Sequence, residues 1–314
     1  VASAGRGWRL SSRAARSWSR VSRGERVTTE ALASAVRGFS IESVPQDADR
    51  IDDFRDHVPT GTRVFIAWPP RATPESIVKS ARKLHEQEMV PVPHIAARRV
   101  PSQEFLRAFV GDLVAQAHVR EVLVIGGDPA TPEGPYTDTG SLLRSGVLNE
   151  LGIEKVGVAA HPEGHPVMSG AVSREVLADN LAAARDHGMS VEAVSQFVLD
   201  PQAIDSWHAE VYSSLAQGAP LLIGIPGLVS GTRLLKIANA CGIGESIGLL
   251  RKNGLRMAKT VIGNSSTQTL VEGLAPLANR ATDVGGFHFY TFGNFEQTAA
   301  WACEAASTPA AAAG

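Results

Sequence analysis

GVAAHPEGHP, residues 157–166, is the stretch that best indicates how this 314-residue chain folds. Small and β-branched residues lead directly into histidine, glutamate, proline and glycine, as in a buried strand that ends at a binding site. Two further apolar runs carry acidic residues in the same way: Asp128 follows VLVIGG, and Glu42 lies within FSIESVP. The sequence therefore predicts that several strand ends bring such side chains together.

Short β-branched runs alternate with helical patterns from Gly38 onward, which is typical of βα units and a parallel sheet. The candidate strands are 38–44, 63–68, 90–95, 121–127, 155–161, 191–198, 219–225 and 286–291. Eight strands, each followed by a helix, favour a (β/α)8 TIM barrel. An open doubly wound sheet is the alternative, because the pattern alone does not exclude it.

Apolar residues at helical spacing predict helices over 74–88, 102–117 and 173–188. Ser102 is expected as an N-cap and Gly188 as a C-cap residue. Residues 231–280 are too long for one helix, so we expect extra short helices between strands 7 and 8.

The composition excludes several classes of function. The chain is 44% apolar with a net charge of −2, and its charges are mixed, so no surface for nucleic acid is indicated. No apolar run approaches the roughly 18 residues of a membrane-spanning helix. Cys241 and Cys303 lack metal-binding spacing and fit two free thiols in a reducing compartment. We expect a soluble, cytoplasmic protein whose partner is a small molecule; the oligomeric state is not indicated.

Residues 1–24 contain six arginines and no acidic residue, and the first acidic residue of the chain is Glu25. An organellar transit peptide has this composition, and so does a disordered tail or an over-extended start of translation. We expect a dispensable basic tail over 1–27, followed by one barrel domain over 28–314.

A barrel places functional residues at the carboxyl ends of its strands. The residues that fall there are Glu42, Trp68, His94, Asp128, His161, Gln196, Gly224 and Tyr290. Glu42 in an apolar strand is expected to have a raised pKa suited to a general acid, although a structural carboxylate is an even alternative. Asp128 follows two glycines, and by its position alone an Asx turn or helix cap is the better interpretation.

The histidines allow both functional and structural interpretations. His161 and His165 are four residues apart with Glu163 between them, but Pro162 and Gly164 break the helix that a zinc-protease motif needs. We expect no metal and a loop of hydrogen-bonding groups. His94 is either a core histidine or, because it lies near a strand end, a binding residue.

Seven segments in order resemble the methylenetetrahydrofolate reductase family, over about residues 38 to 305. They are SIESVP (40–45), VPHIAAR (92–98), VLVIGGDP (122–129), GVAAHPEGHP (157–166), SQFVLD (195–200), GIPGLVSG (224–231) and GFHFYTFGN (286–294). The resemblance implies a (β/α)8 barrel that reduces 5,10-methylenetetrahydrofolate to 5-methyltetrahydrofolate, usually with FAD relaying hydride from NAD(P)H.

The resemblance also implies roles for individual residues. Glu42 matches the acid that protonates the N10 side of the folate, Asp128 an aspartate that faces the pterin and cofactor rings, and Gln196 an amide that hydrogen-bonds the pterin. Further substrate-binding positions implied are His94, His161, Glu163 and Tyr290. Cofactor-binding positions implied are Trp68, Gly127 and His165.

The chain departs from the family where the flavin is expected. An Arg-Gly-Asp on strand four is Gly126-Gly127-Asp128 here, Tyr-Pro-Glu is His161-Pro162-Glu163, and Thr-Tyr-Gly is Ala67-Trp68-Pro69. A family phenylalanine aligns with Gly231. The chain thus resembles the flavin-independent, actinobacterial branch, with NADH or NADPH as direct hydride donor and no FAD. A barrel that uses another tetrahydropterin, donor or direction, or a non-redox folate-binding barrel, is the alternative.

Overall fold

The computed structural model describes residues 28–240 and 265–307. Eight strands close into a barrel in chain order, and every strand pairs in parallel with its neighbours, including β8 with β1. The strands are β1 (Ser40–Ser43), β2 (Arg63–Ile66), β3 (Val90–Ala96), β4 (Glu121–Ile125), β5 (Lys155–Ala160), β6 (Ser190–Ser195), β7 (Leu221–Pro226) and β8 (Val284–Tyr290). The closed barrel confirms the predicted TIM fold and excludes the open doubly wound sheet.

Helices surround the strands in the described part of the chain. They are α1 (Thr29–Val36), α2 (Pro45–Arg50), α3 (Pro74–Glu86), α4 (Gln103–Ala117), α5 (Thr139–Leu143), α6 (Val147–Glu150), α7 (Gly170–Asp186), α8 (Pro201–Trp207), α9 (Ser213–Leu215), α10 (Gly231–Ala240), α11 (Ser265–Arg280) and α12 (Phe295–Ser307). A π-helical turn, His208–Tyr212, joins α8 to α9, and 3-10 turns cover Phe54–Asp56 and Ala97–Arg99.

Local capping determines where the long helices begin. Ser102 caps α4, as predicted, by accepting the N–H of Phe105 at 3.1 Å. The helix expected over 173–188 begins earlier, because Ser169 accepts the N–H of Val172 and starts α7 at Gly170. Gly188 follows the end of α7 with a φ of 73°, a left-handed conformation that glycine adopts without strain. The described part of 231–280 consists of α10 and α11.

The barrel interior is layered, because alternate residues of each strand face the same side. A floor at the amino ends of the strands consists of Arg63, Glu121, Lys155 and Glu192. Arg63 Nη2 lies 2.7 Å from Glu121 Oε2 and also contacts Glu192, whose Oε2 lies 2.8 Å from Lys155 Nζ. The ion pairs with Arg63 and Lys155 compensate the buried charge of Glu192.

An apolar layer covers this floor. Its side chains pack together as one buried cluster, formed by Phe65, Val92, Leu123, Val194 and Leu222. Because ion pairs fill the amino end of the barrel and apolar side chains fill its middle, the carboxyl end is left for ligand chemistry.

The predicted tail over 1–27 and Cys241 lie outside the described residues, whereas Cys303 is a free thiol. No helix in the described ranges is long and apolar enough to span a membrane. Within the same ranges, no three or more His, Cys, Asp or Glu side chains are grouped to hold a metal ion.

Candidate active site

Glu42 is the third of the four residues of β1, and only 13% of its side chain is exposed. Burial, together with a smaller contribution from the nearby carboxylate of Asp47, raises its pKa from 4.5 to about 8. Asp47 itself is held in place, since it accepts the N–H of Val44 and pairs with Arg50. The Glu42 carboxyl therefore carries a proton at neutral pH.

His94, from β3, lies beside this acid. Its Nε2 is 3.9 Å from Glu42 Oε2, which is too long for a hydrogen bond but within reach of a shared ligand or water. Burial lowers the pKa of His94 to about 4, so the ring is neutral at pH 7. Nε2 is buried and has no hydrogen-bond partner among the described residues. Such a nitrogen favours a bound molecule, because an unsatisfied buried polar atom is costly.

His288 in β8 belongs to the same group, although we did not predict it from the sequence. Its side chain is fully buried, and its Nδ1 lies 2.9 Å from the hydroxyl of Ser40. Its ring contacts Phe65 and Tyr290 edge-on, with centroids 4.5 and 4.7 Å apart. Burial lowers its pKa well below 6.5, and His94 and Arg63 lower it further. A usable signal was present, because His288 and Tyr290 are two residues apart in one strand and so face the same side.

A hydrogen-bond network at the ends of β6, β7 and β8 holds Gln196 and Tyr290. The Tyr290 hydroxyl donates to the backbone carbonyl of Ser195 at 2.9 Å. The Ser195 hydroxyl accepts the N–H of Gly224 and donates to the carbonyl of Gln196. The side-chain carbonyl of Gln196 accepts the N–H of Phe197 at 3.1 Å. The NH2 of Gln196 has no protein partner in the described ranges and is available to a ligand.

Gly224 allows this network to form. A Cβ at that position would lie 2.5 Å from the Ser195 carbonyl oxygen and 2.6 Å from Cε2 of Tyr290. Neither the backbone atom nor the packed ring can move away cheaply. The close approach of β6, β7 and the tyrosine ring therefore requires glycine.

The loop after β5 carries His161, Glu163 and His165. Glu163 Oε1 accepts the N–H groups of Leu199 and Asp200 at 2.8 and 2.7 Å, so this side chain fastens the loop to the segment after β6. The two histidine rings meet edge-on with centroids 4.7 Å apart. Burial, together with His165, lowers the pKa of His161 to about 4, and burial also lowers that of His165. The predicted ligand contacts of this loop stay a prediction.

Asp128, Gly127 and Trp68 form a separate group at the edge of the barrel, around the loops after β2, β3 and β4. The Asp128 side chain is 64% exposed, and its Oδ2 lies 2.5 Å from Arg99 Nη2. Arg99 also donates to the backbone carbonyl of Trp68 at 3.0 Å. Gly127 has a φ of 93°, and a Cβ there would lie 3.2 Å from Cβ of Ala96. Asp128, which the resemblance places facing the pterin and cofactor rings, is thus ion-paired at the rim, and its role toward a ligand stays a prediction.

The interior group is connected through side-chain contacts. Glu42 lies beside His94, His94 and His288 both pack on Phe65, and Tyr290 joins His288 to the network around Gln196. Such an arrangement can donate a proton from a neutral acid and hydrogen-bond a polar heterocycle, all within a low-dielectric cavity.

Comparison with known proteins supports the fold. No protein-family model matches this sequence. An uncharacterised protein from Clostridium thermocellum that binds two copies of 5-methyl-5,6,7,8-tetrahydrofolic acid has a similar structure, with a TM-score of 0.55 at 10% identity. The match covers 88% of this chain and 95% of that one. The β-glycosidase BGL167 matches with a TM-score of 0.43 at 12% identity, which is too low to support an argument. At 10% identity the first match supports the barrel architecture alone.

Proposed function

We propose that this protein is a methylenetetrahydrofolate reductase that uses NAD(P)H without a flavin. The observation that carries the proposal is the Glu42 carboxyl, which is buried in the barrel wall 3.9 Å from His94 and whose pKa is raised to about 8 by that burial. A protein that only binds its ligand has no need of an acid buried in an apolar wall, because burial of a carboxyl is costly.

Two further findings support a reduced folate as the ligand. Seven segments resemble the reductase family in the correct order, and Glu42, Gln196 and Tyr290 from these segments belong to the interior group. A structurally similar protein binds 5-methyltetrahydrofolic acid, which is the product of the proposed reaction. The NH2 group of Gln196 and the nitrogen of His94 are available to the polar edge of a pterin.

In the proposed mechanism Glu42 transfers its proton to N10 of 5,10-methylenetetrahydrofolate. The bond from N10 to the bridging carbon breaks, and an iminium forms between N5 and that carbon. The nicotinamide donor supplies a hydride to the carbon, which yields 5-methyltetrahydrofolate and NAD(P)+. One proton and one hydride are consumed, so the reaction balances without an external oxidant. Glu42 then takes a proton from solvent before the next turnover.

The neutral state of His94 fits this role. A protonated histidine at 3.9 Å would stabilise the carboxylate of Glu42 and lower its pKa, making the acid ionised before substrate binds. Because burial keeps His94 neutral, Glu42 stays protonated. The environment of the acid and that of the histidine therefore support the same chemistry.

The group at the edge of the barrel, formed by Asp128, Gly127 and Trp68, supports a reaction without FAD. Position 126 is Gly126, which carries no cationic side chain to meet a flavin diphosphate. Stoichiometric FAD in protein purified without additives would refute this part of the proposal. A protein of this activity is expected in the cytoplasm, where its free thiol at Cys303 stays reduced.

The deciding experiment is NADH oxidation, followed by absorbance, after 5,10-methylenetetrahydrofolate is added to flavin-free protein. We expect turnover that falls by about 100-fold or more in Glu42→Gln while folate affinity stays nearly constant. Turnover of the variant at the wild-type rate would exclude Glu42 as the acid. Turnover only after FAD is added would identify a flavoenzyme instead.

A non-redox folate-binding barrel is the second candidate, because the similar protein is described by its ligand alone. Such a protein would bind 5-methyltetrahydrofolate but never oxidise NADH. An oxidoreductase with another pterin, donor or direction is distinguished by initial rates measured across donors and substrates, including the oxidation of 5-methyltetrahydrofolate.

A further inference from the structure

A cleft of about 580 Å³ lies beside the barrel mouth, between the loops that follow β2, β3 and β4. This volume is within the range of about 300–1,000 Å³ that is usual for small-molecule sites. Its walls are Trp68, Phe105 and four prolines, and its polar groups are Arg99, Asp128 and Glu133. The indole of Trp68 is fixed, because its Nε1 donates to the carbonyl of Ala72 and its ring packs on Phe109.

Arg99 is an unusual side chain to find in such a cleft. Only 10% of it is exposed, and protein acceptors in the described ranges use two of its five N–H groups, through the carbonyl of Trp68 and the carboxylate of Asp128. Asp128 is mostly exposed and can move, whereas the carbonyl of Trp68 is fixed. The guanidinium is therefore held in position while its second acceptor is exchangeable for another anion.

The starts of two helices also face this cleft. Pro74 begins α3, which has 13 residues, and Pro101 directly precedes Ser102, the N-cap of the 15-residue α4. Both prolines line the cleft. The positive ends of two helix dipoles favour an anion there, in addition to the charge of Arg99.

We propose that this cleft binds the adenosine diphosphate half of the dinucleotide hydride donor. Arg99 binds the diphosphate, and Asp128 releases Arg99 as the diphosphate enters. Phe105, Trp68 and the prolines hold the purine, and the carboxylate of Glu133 accepts hydrogen bonds from ribose hydroxyls. The identity of the ligand as a hydride donor rests on the proposed function; the adenosine diphosphate site does not.

The two glycines before Asp128 leave a route from the cleft to the mouth. Gly126 and Gly127 separate Asp128 from Ile125, whose position in β4 is the last on that strand. A Cβ at Gly126 would meet no atom within 4 Å, so the space above it is open. A dinucleotide held at its diphosphate can pass across this bare backbone and place its nicotinamide over the interior group.

The test is calorimetric titration of the flavin-free protein with ADP, and with inorganic pyrophosphate as a probe of the anion contacts. Arg99→Gln should weaken ADP binding by about tenfold or more, since a charge-assisted hydrogen bond is lost. Asp128→Asn should tighten pyrophosphate binding several-fold, because it removes the competing carboxylate and leaves the contact between Arg99 and Trp68 intact. Arg144→Gln is the matched control, as Arg144 pairs with Asp179 at 2.7 Å outside the cleft.

Equal ADP affinity in wild type and Arg99→Gln would overturn the inference, and so would a wild-type protein that does not bind ADP. Weaker pyrophosphate binding by Asp128→Asn would also contradict it. These results are separate from the proposed reaction. If the protein oxidises NADH and Arg99→Gln leaves the KM for NADH unchanged, the proposed reductase activity stands and the proposed cleft site is wrong. If ADP binding depends on Arg99 but NADH is not oxidised, the cleft site stands and the proposed activity is wrong.

Discussion

Glu42→Gln should change how the stability of the protein depends on pH. Burial raises the pKa of Glu42 from 4.5 to about 8, so the folded state keeps a proton that the unfolded state has lost between these values. The protonated Glu42 contributes its full stabilisation below pH 4.5. The free energy of unfolding then falls by about 1.4 kcal/mol per pH unit as pH rises from 4.5 to 8. The whole shift of the pKa, from 4.5 to about 8, corresponds to a loss of about 5 kcal/mol in the free energy of unfolding.

Glutamine cannot ionise, so the variant lacks this loss. The free energy of unfolding of Glu42→Gln, minus that of wild type, should therefore increase from pH 4.5 to pH 8.5. Because the side chain is 13% exposed and water can relax around it, we expect an increase of about 2–5 kcal/mol. The buried histidines titrate in both proteins and cancel in the difference.

Urea unfolding at half-unit pH intervals measures this difference directly. Glu86→Gln, which removes an exposed carboxyl on α3, is the matched control and should give a difference that stays nearly constant with pH. A Glu42→Gln curve that stays parallel to wild type across the same range would show that the carboxyl ionises normally. The assignment of Glu42 as an acid at neutral pH would then fail.

Three other substitutions test the surrounding structure. Gly224→Ala forces a Cβ against the Tyr290 ring, so it should lower the free energy of unfolding in urea by about 1–3 kcal/mol and weaken folate binding. Gly126→Ala is the control: a Cβ there meets open space, so its stability and folate affinity should stay near those of wild type. Glu192→Gln leaves Glu121 as the one carboxylate of the floor against Arg63 and Lys155 and should cost about 3–5 kcal/mol in urea unfolding. A large fall in kcat in a variant that stays folded would contradict the placement of Glu192 in the floor, away from the mouth. The pKa of His94 is lowered to about 4, so the free energy of unfolding of wild type should fall by up to about 3 kcal/mol as pH falls from 6.5 to 4. The free energy of unfolding of His94→Asn should fall less over the same range, and acid titration followed by circular dichroism measures both.

The barrel was predictable because its signals are local. Each strand is a short β-branched run, each long helix has apolar residues at helical spacing, and Ser102 is a capping residue immediately before such a run. The residues at the strand ends follow from the barrel, because parallel strands all deliver their carboxyl ends to one face. This reasoning placed all the strand-end residues around one mouth. The structure brings Glu42, His94 and Tyr290 into the interior group, whereas Trp68 and Asp128 lie in a separate group at the edge.

The pairings within the site were not predictable in the same way. Arg99 and Asp128 belong to loops after different strands, and Arg63 and Glu192 are 129 residues apart. Which loops meet depends on the closure of the barrel and on loop lengths, and neither is encoded in a local pattern. The ion pair with Arg99 explains why Asp128 lies at the rim, whereas the family resemblance implied a place facing the pterin and cofactor rings.

The layering of the barrel favours two roles for Glu42 in the proposed reaction, as the acid and then as the anion beside the cation that forms. The floor contains compensated charges, and Phe65 belongs to the apolar layer between those charges and the mouth. At neutral pH the interior group has no formal charge, because Glu42 is protonated and His94 and His288 are neutral. When Glu42 gives its proton to N10, its carboxylate becomes the one anion of that group, beside the iminium that has just formed. The charge that stabilises the cation therefore appears in the same step as the cation, and the reaction needs no second fixed carboxylate at Asp128.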